Sequence, residues 1–267
     1  MSVRIGEDGK RSVQVEVEVP GSPEEVWQAI ATGPGISSWF VPTQVEERVG
    51  GAVTANFGPG MESVSKITQW NPPQNFVAEG SGMSPDSPGM ATQWIVEAKS
   101  GGTCLVRVVH SWFADTDEWD GQYEAVENGW VGFFSILRLK LKHFLGQPSV
   151  AFDVTGIGNY GESEGWAALT GPFGLTGAAE GAVVKAEPGT PSLSGSVEVA
   201  RSGDEMSMIL LITEPGAGIC QFFAVPMGGQ TYLSIRFFIF GDNAASIVAQ
   251  AQEAWGRWFG EKFPMGG

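Results

Sequence analysis

The chain has 267 residues, 42% of them hydrophobic and only 17% charged, with a net charge of −15, 38 glycines and 10 tryptophans. Its lysines and arginines are scattered rather than clustered, which excludes the counterion-displacing grip on phosphates that nucleic-acid binding rests on and disfavours an anionic membrane surface. No apolar run reaches the roughly 18 residues of a membrane helix, and the polar start from Met1 to Arg11 lacks the apolar stretch of a secretory signal; the expectation is a cytoplasmic, strand-rich protein without membrane insertion.

In chain order, Val13, Val15, Val17 and Val19 alternate with Gln14, Glu16 and Glu18, which predicts a half-buried strand over Ser12–Val19. Pro20-Gly21 breaks it. Ser22 is placed to cap a short helix whose first position is Pro23, with Glu24 and Glu25 at its positive end and Gly33-Pro34-Gly35 ending it. Strands are predicted at Val45–Val49, Ala52–Phe57, Ser63–Trp70, Asn75–Glu79, Thr92–Ala98 and Cys104–Phe113, separated by turn-rich pieces and a Gly/Ser/Pro loop over Gly80–Gly89. A long helix over Tyr123–Phe144 carries Val126, Trp130, Phe133, Phe134, Leu137, Leu141 and Phe144 as a wide apolar stripe.

Past Gly146-Gln147-Pro148 the same landmarks return in the same order. Glu25-Val26-Trp27 with Thr32-Gly33-Pro34 is matched by Glu164-Gly165-Trp166 with Thr170-Gly171-Pro172. Gly102–Arg107 is matched by Gln230–Arg236, and Asn128-Gly129-Trp130 by Glu253-Ala254-Trp255. A solenoid unit is roughly 20–50 residues, so a repeat this long means two domain-sized copies of one fold, 1–146 and 147–267. The second copy predicts strands at Val150–Thr155, Ala182–Ala186, Ser196–Ala200, Met206–Thr213, Ile219–Val225 and Thr231–Phe240. Its helices fall at Glu162–Leu169 and Asn243–Phe263. Its marker tryptophans stand closer together, so it has lost material. The fold class is α+β: an antiparallel sheet wrapped around one long C-terminal helix, built twice.

The first copy resembles the Hsp90-ATPase-activator-homologue-1-like branch of the START/Bet v 1-like (helix-grip, SRPBCC) superfamily. The resemblance rests on Val19-Pro20 through Pro23-Glu24-Glu25-Val26-Trp27, Trp39-Phe40 with Pro42, Gly50-Gly51, Gly102-Thr103 leading into Val109-His110-Ser111-Trp112-Phe113, and Asn128-Gly129-Trp130 opening a helix with Leu137, Leu139 and Leu141. It covers residues 12–146; the second copy lacks counterparts to Trp39-Phe40 and His110-Ser111-Trp112 and reads as a degenerate sibling. The resemblance implies a curved sheet gripping the long helix around a deep cavity, in proteins that bind lipids, sterols, polyketides and other aromatics. Some members are cyclases, some carriers and some chaperone regulators, and fold alone does not choose among them.

Several segments spell a known chemistry without its context. Gly156-Ile157-Gly158-Asn159-Tyr160-Gly161 spells a dinucleotide fingerprint with Glu180 downstream, but no alternating strand–helix pattern follows to build the parallel sheet such a site needs. Gly161-Glu162-Ser163-Glu164-Gly165 spells a nucleophile elbow, yet both histidines, His110 and His143, precede Ser163; Ser163 reads as a helix N-cap. Asp115, Asp117, Glu118 and Asp120 before Gly121 are out of register for a calcium loop, with Trp119 and Val126 at ligand positions. No transition-metal set is visible, no cofactor is expected, and Cys104 and Cys220 read as buried reduced thiols.

His110 is the one residue with functional weight, a weak catalytic candidate. If its strand face lines the cavity it hydrogen-bonds a ligand or acts as a general base; a structural histidine at the rim explains the same pattern. Trp39, Phe57, Trp70, Trp94, Trp112, Trp130 and Phe134 are candidate ligand-binding rings, since many large rings with few charges suit an apolar planar guest. The expected function is sequestration or carriage of a hydrophobic, aromatic or polyketide-like small molecule, in natural-product biosynthesis or self-resistance. The alternatives are a polyketide cyclase or dehydratase with His110 as base, and an interaction module of the chaperone-ATPase-activator kind. As partners we expect a hydrophobic small molecule and no nucleic acid. The chain is expected to be a monomer or weak homo-oligomer whose two copies act as a pseudo-dimer.

Overall fold

The alternating valines at the start form a strand in the computed structural model of the chain. It describes residues 4–5, 11–58, 60–81, 89–112, 120–201 and 206–263, with only the backbone path given for 4–5, 120–128 and 227. The chain divides into two compact units, 1–146 and 147–267.

In the first unit, β1 (Arg4–Ile5) and β2 (Arg11–Pro20) precede two helices, α1 (Pro23–Ala31) and α2 (Gly33–Ser37). Six strands follow: β3 (Thr43–Val45), β4 (Ala52–Asn56), β5 (Glu62–Asn71), β6 (Asn75–Gly80), β7 (Met90–Lys99) and β8 (Thr103–Trp112). They end in α3 (Asp120–His143). The eight strands make one antiparallel sheet in the order β1-β2-β8-β7-β6-β5-β4-β3. Val13, Val15 and Val19 turn inward from β2, and α3 packs across that strand.

Ser22 caps α1 as expected: its hydroxyl accepts from the Glu25 N–H while the Glu25 carboxylate accepts from the Ser22 N–H at 2.8 Å, a closed capping box. Gly33-Pro34-Gly35 does more than end α1. It opens α2, because Thr32 closes one helix with its hydroxyl on the Gln28 carbonyl (2.8 Å) and caps the next by accepting from the Gly35 N–H (3.1 Å). This corner needs a glycine: a Cβ on Gly35 would sit 1.9 Å from the Gln28 oxygen. Gly35→Ala is therefore expected to cost about 3 kcal/mol or more in urea unfolding, since backbone rather than a movable side chain is in the way.

The strand expected at Val45–Val49 is displaced. Pairing stops at Val45, and 46–51 instead folds into a turn in which Gly51 passes the Glu46 oxygen too closely for any Cβ (2.1 Å). The parts of the Gly80–Gly89 loop and of the acidic loop that hold residues 82–88 and Asp115, Asp117 and Glu118 lie outside the described residues.

In the second unit, β9 (Ser149–Gly158), α4 (Glu162–Thr170) and a short 3-10 turn lead to β10 (Ser194–Arg201), β11 (Met206–Glu214), β12 (Gly218–Met227) and β13 (Gln230–Phe240), closed by α5 (Ala244–Lys262). The sheet order is β10-β11-β12-β13-β9. The repeat now has a topological meaning. In each unit the first long strand pairs antiparallel with the last (β2 with β8, β9 with β13), a helix follows the first, and the final helix crosses it.

Two expectations fail here. Ala182–Ala186 is no strand: it makes a single bridge to β10, Val183 to Ser196, after which the Lys185 N–H turns to the Phe173 carbonyl and that of Glu187, just beyond, to Pro172. Ser163 lies inside α4; the N-cap is Gly161, with no side-chain cap. Trp255 fills the centre of this core, 1% exposed and in ring contact with Phe173, Phe237 and Trp258.

Candidate functional site

Strand register decides what surrounds His110. Along β8, Cys104, Val106, Val108, His110 and Trp112 all face inward and are buried. Across the sheet, His110 lies between Val13 of β2 and Thr92 of β7, and Ala78 and Ile67 continue the same row. The neighbouring row holds Val15, Val108, Trp94, Phe76 and Trp70. The first row thus carries the two polar residues, His110 and Thr92, and the next carries three aromatic rings.

Onto this face α3 lowers Trp130 and Phe134, and the corner after α2 delivers Trp39 and Phe40. Trp130 is held between two rings, stacked on Phe40 (5.1 Å, 12°) and on His110 (5.4 Å, 30°), and meets Trp94 edge-on at 5.2 Å. Trp39 is fully buried against Trp94, Trp130 and Phe134, and its indole N–H donates to the Ala29 carbonyl at 2.9 Å. Trp112 lies 6.0 Å from His110. All seven expected rings therefore gather in one ring network with His110: Trp39, Trp94, Trp112, Trp130 and Phe134 within it, Phe57 joined to it through Phe40, and Trp70 through Phe76, which stacks on Trp94.

Phe57 is 45% exposed just past β4 and touches Phe40 edge-on at 5.7 Å. Trp70 lies at the far end of the network, packed with Trp27 of α1 and with Phe76. Three partners are not among the residues the sequence pattern singles out for the site: Phe40, Phe133 (4.5 Å from Phe40) and Thr92. Phe40 stands beside Trp39 in the family resemblance and is visible there. Thr92 shows only once the β7–β8 register is known.

His110 is 4% exposed, and its Nδ1 is 2.9 Å from the Thr92 hydroxyl. Its Nε2 is buried with no partner among the described residues. Burial pushes the imidazole pKa down to about 4, so the ring is neutral at physiological pH. An orphaned buried polar atom costs about 1–3 kcal/mol, and the imidazole that carries it is in ring contact with Trp112 and Trp130. Chemically, the arrangement sets large aromatic faces beside one buried, neutral imidazole.

The other sequence candidates have packing explanations. A Cβ on Gly156 would press on the Phe259 ring at 3.0 Å and one on Gly158 on the Tyr160 ring at 2.3 Å, so these glycines let rings lie on β9. The sheet they serve is antiparallel, unlike that of a dinucleotide site. Cys104 and Cys220 are free and buried; the Cys104 thiol donates to the Gly21 carbonyl, and burial, aided by Glu24 and Glu25, raises its pKa. Among the described residues no group of three His, Cys, Asp or Glu is placed to hold a metal ion, and no helix is long and apolar enough to cross a membrane. The second unit carries a cleft of about 230 Å³ between α5 and the β11–β12 turn, with Pro191, Pro215, Ile247, Gln250 and Trp255 among its walls.

Residues 10–145, just over half of the chain, match the family described as polyketide cyclase / dehydrase and lipid transport. The chain belongs to this family. No curated protein matches it. Among solved structures, the chain is similar to CalU16 from Micromonospora echinospora at 18% identity, covering 52% of this chain and 79% of that one, with a TM-score of 0.42. It is similar to the Aha1 dimer from Colwellia psychrerythraea at 22% identity, covering 51% and 98%, with a TM-score of 0.43. It is also similar to the di-domain ARO/CYC BexL from the BE-7585A biosynthetic pathway at 16% identity, covering 96% and 100%, with a TM-score of 0.47.

Proposed function

We propose that the first unit binds and carries a hydrophobic, planar aromatic or polyketide-like small molecule between its sheet and α3, in the cytoplasm, as a carrier or self-resistance protein of natural-product biosynthesis. The observation that supports this reading most is the Nε2 of His110, without a partner among the described residues, on a ring in contact with Trp112 and Trp130. A guest bearing one polar group would pair with this atom, which stands beside the ring network, and relieve the cost of leaving it unmet. Membership of the family agrees with a lipid or polyketide guest. The second unit carries no guest in this proposal, since Trp255, the counterpart of Trp130 in the repeat, fills the centre of its core.

The rings close on one another, so a guest enters only by parting them. Phe40 is the ring to move: it is half-buried and links exposed Phe57 to buried Trp130. Tryptophan-fluorescence titration and native mass spectrometry with fatty acids, sterols, flavonoids and anthraquinones test the reading. A saturable one-to-one complex with planar aromatics is expected; a folded protein that binds none of them rules the proposal out. Phe40→Ala is expected to speed association about 3–10-fold, the equivalent of one lost aromatic pair, and stopped-flow quenching measures it.

A cyclase or dehydratase with His110 as general base is the second reading, favoured by the ring nitrogen left without a partner among the described residues, while the pKa of about 4 keeps the ring neutral but makes it a weak base. It requires the unpaired Nε2 to carry a lone pair.

A further inference from the structure

The geometry points to Thr92 as a positioning residue that makes His110 a hydrogen-bond donor, so that the site selects planar guests carrying an acceptor oxygen, such as an aryl ketone or quinone. This rests on the binding reading above for the guest, but not for the tautomer. The reasoning is a count of unmet groups around one hydrogen bond. His110 Nδ1 and Thr92 Oγ1 are 2.9 Å apart, and Thr92 makes no other side-chain hydrogen bond among the described residues.

Two arrangements fit that distance. If Nδ1–H donates to the threonine oxygen, the hydroxyl proton has no acceptor and the Nε2 lone pair has no donor, leaving two groups unmet. If the threonine hydroxyl donates to Nδ1, both threonine and Nδ1 are satisfied and only Nε2–H is left over. Unmet buried polar groups are costly, so the second arrangement wins. The proton then sits on Nε2, and the neutral ring presents a donor to the aromatic surface. Trp130 stacked at 5.4 Å limits how far the ring can turn. Thr92 and His110 are directly opposed residues of β7 and β8, so sheet pairing maintains the contact.

The consequence separates guests of one shape by chemistry. A carbonyl oxygen meets Nε2–H, whereas a pure hydrocarbon leaves it unpaired and a guest offering only a donor confronts it with another donor. The same tautomer removes the lone pair that a general base at Nε2 needs.

The chain has two histidines, His110 and His143, which makes the test direct. In the full-length protein labelled with 15N-histidine, long-range proton–nitrogen correlation reads each ring's tautomer, and His110→Gln assigns the signals. The expected pattern for His110 is a protonated Nε2 and an unprotonated Nδ1. Thr92→Val is expected to shift that pattern toward a mixture, and Thr92→Ser to restore it, which a merely space-filling role for Thr92 would not do. An Nδ1–H pattern in the native protein overturns the assignment and favours the base reading. For the guest, anthraquinone is expected to bind about tenfold tighter than anthracene, the ratio one buried hydrogen bond supplies, with the preference lost in Thr92→Val. Equal binding of the two probes overturns the acceptor preference. Binding of neither, with the expected tautomer still observed, overturns the binding reading and upholds the tautomer assignment.

Discussion

Trp39→Ala is expected to destabilise the first unit by about 3–5 kcal/mol, the range for truncating a fully buried large ring. Trp39 has no exposed surface, and the Trp94, Trp130 and Phe134 rings close around it. Its indole N–H also serves a carbonyl that α1 cannot satisfy itself, because Ala29 lies among the last four residues of that helix. The substitution leaves both a cavity and an orphaned oxygen. Trp39→Phe keeps most of the packing and loses the hydrogen bond, so about 1–2 kcal/mol is expected from it. Urea unfolding of the two variants against the parent protein measures this order. A Trp39→Ala protein within about 1 kcal/mol of the parent would mean that the rings collapse freely onto the vacated space, contrary to a core locked by mutual contacts.

The second large effect is one of pH. His110 is held neutral by burial, with its pKa lowered from 6.5 to about 4. Well above pH 6.5 neither the folded nor the unfolded chain protonates it appreciably, and the full stability is present. As the pH falls, the unfolded chain takes up the proton first, so stability declines through the window from 6.5 down to about 4 and this group's contribution is flat below it. The integrated loss is on the order of 3 kcal/mol, because each pH unit of that window is worth about 1.4 kcal/mol. The Glu214 carboxylate, lowered by hydrogen bonds from Ser192 and Ser194, titrates in more acid solution and acts in the same direction. The comparison is therefore made as a difference: unfolding free energies of the parent and of His110→Gln at several pH values, subtracted. The difference should change steadily between pH 6.5 and about 4. Parallel curves would show that water reaches the imidazole, and with it that Nε2 is not left without a partner.

Local signals were enough for much of this protein. The valine alternation of β2, the Ser22-Pro23-Glu24-Glu25 start of α1 and the ring spacing of α3 each encode their element within a few residues, because capping and amphipathic burial act over one or two turns. The recurrence of those signals carried the two-unit organisation, and the gathering of Trp39, Trp94, Trp130 and Phe134 followed from their inward-facing positions. The misplaced pieces are those decided by backbone partners outside the segment itself. Ala182–Ala186 has a strand-like composition, yet the Lys185 N–H goes to Phe173, and that of Glu187 just beyond it to Pro172, rather than to a ladder. Gly33-Pro34-Gly35 reads as a stop, yet Thr32 can join two helices because Gly35 lets their backbones touch. The site's polar centre belongs to the same class. A histidine in a strand has the same local signature whether its nitrogens are paired or free; only the register that sets Thr92 opposite His110, and the fall of α3 across the sheet, determines which nitrogen is satisfied and which has no partner among the described residues.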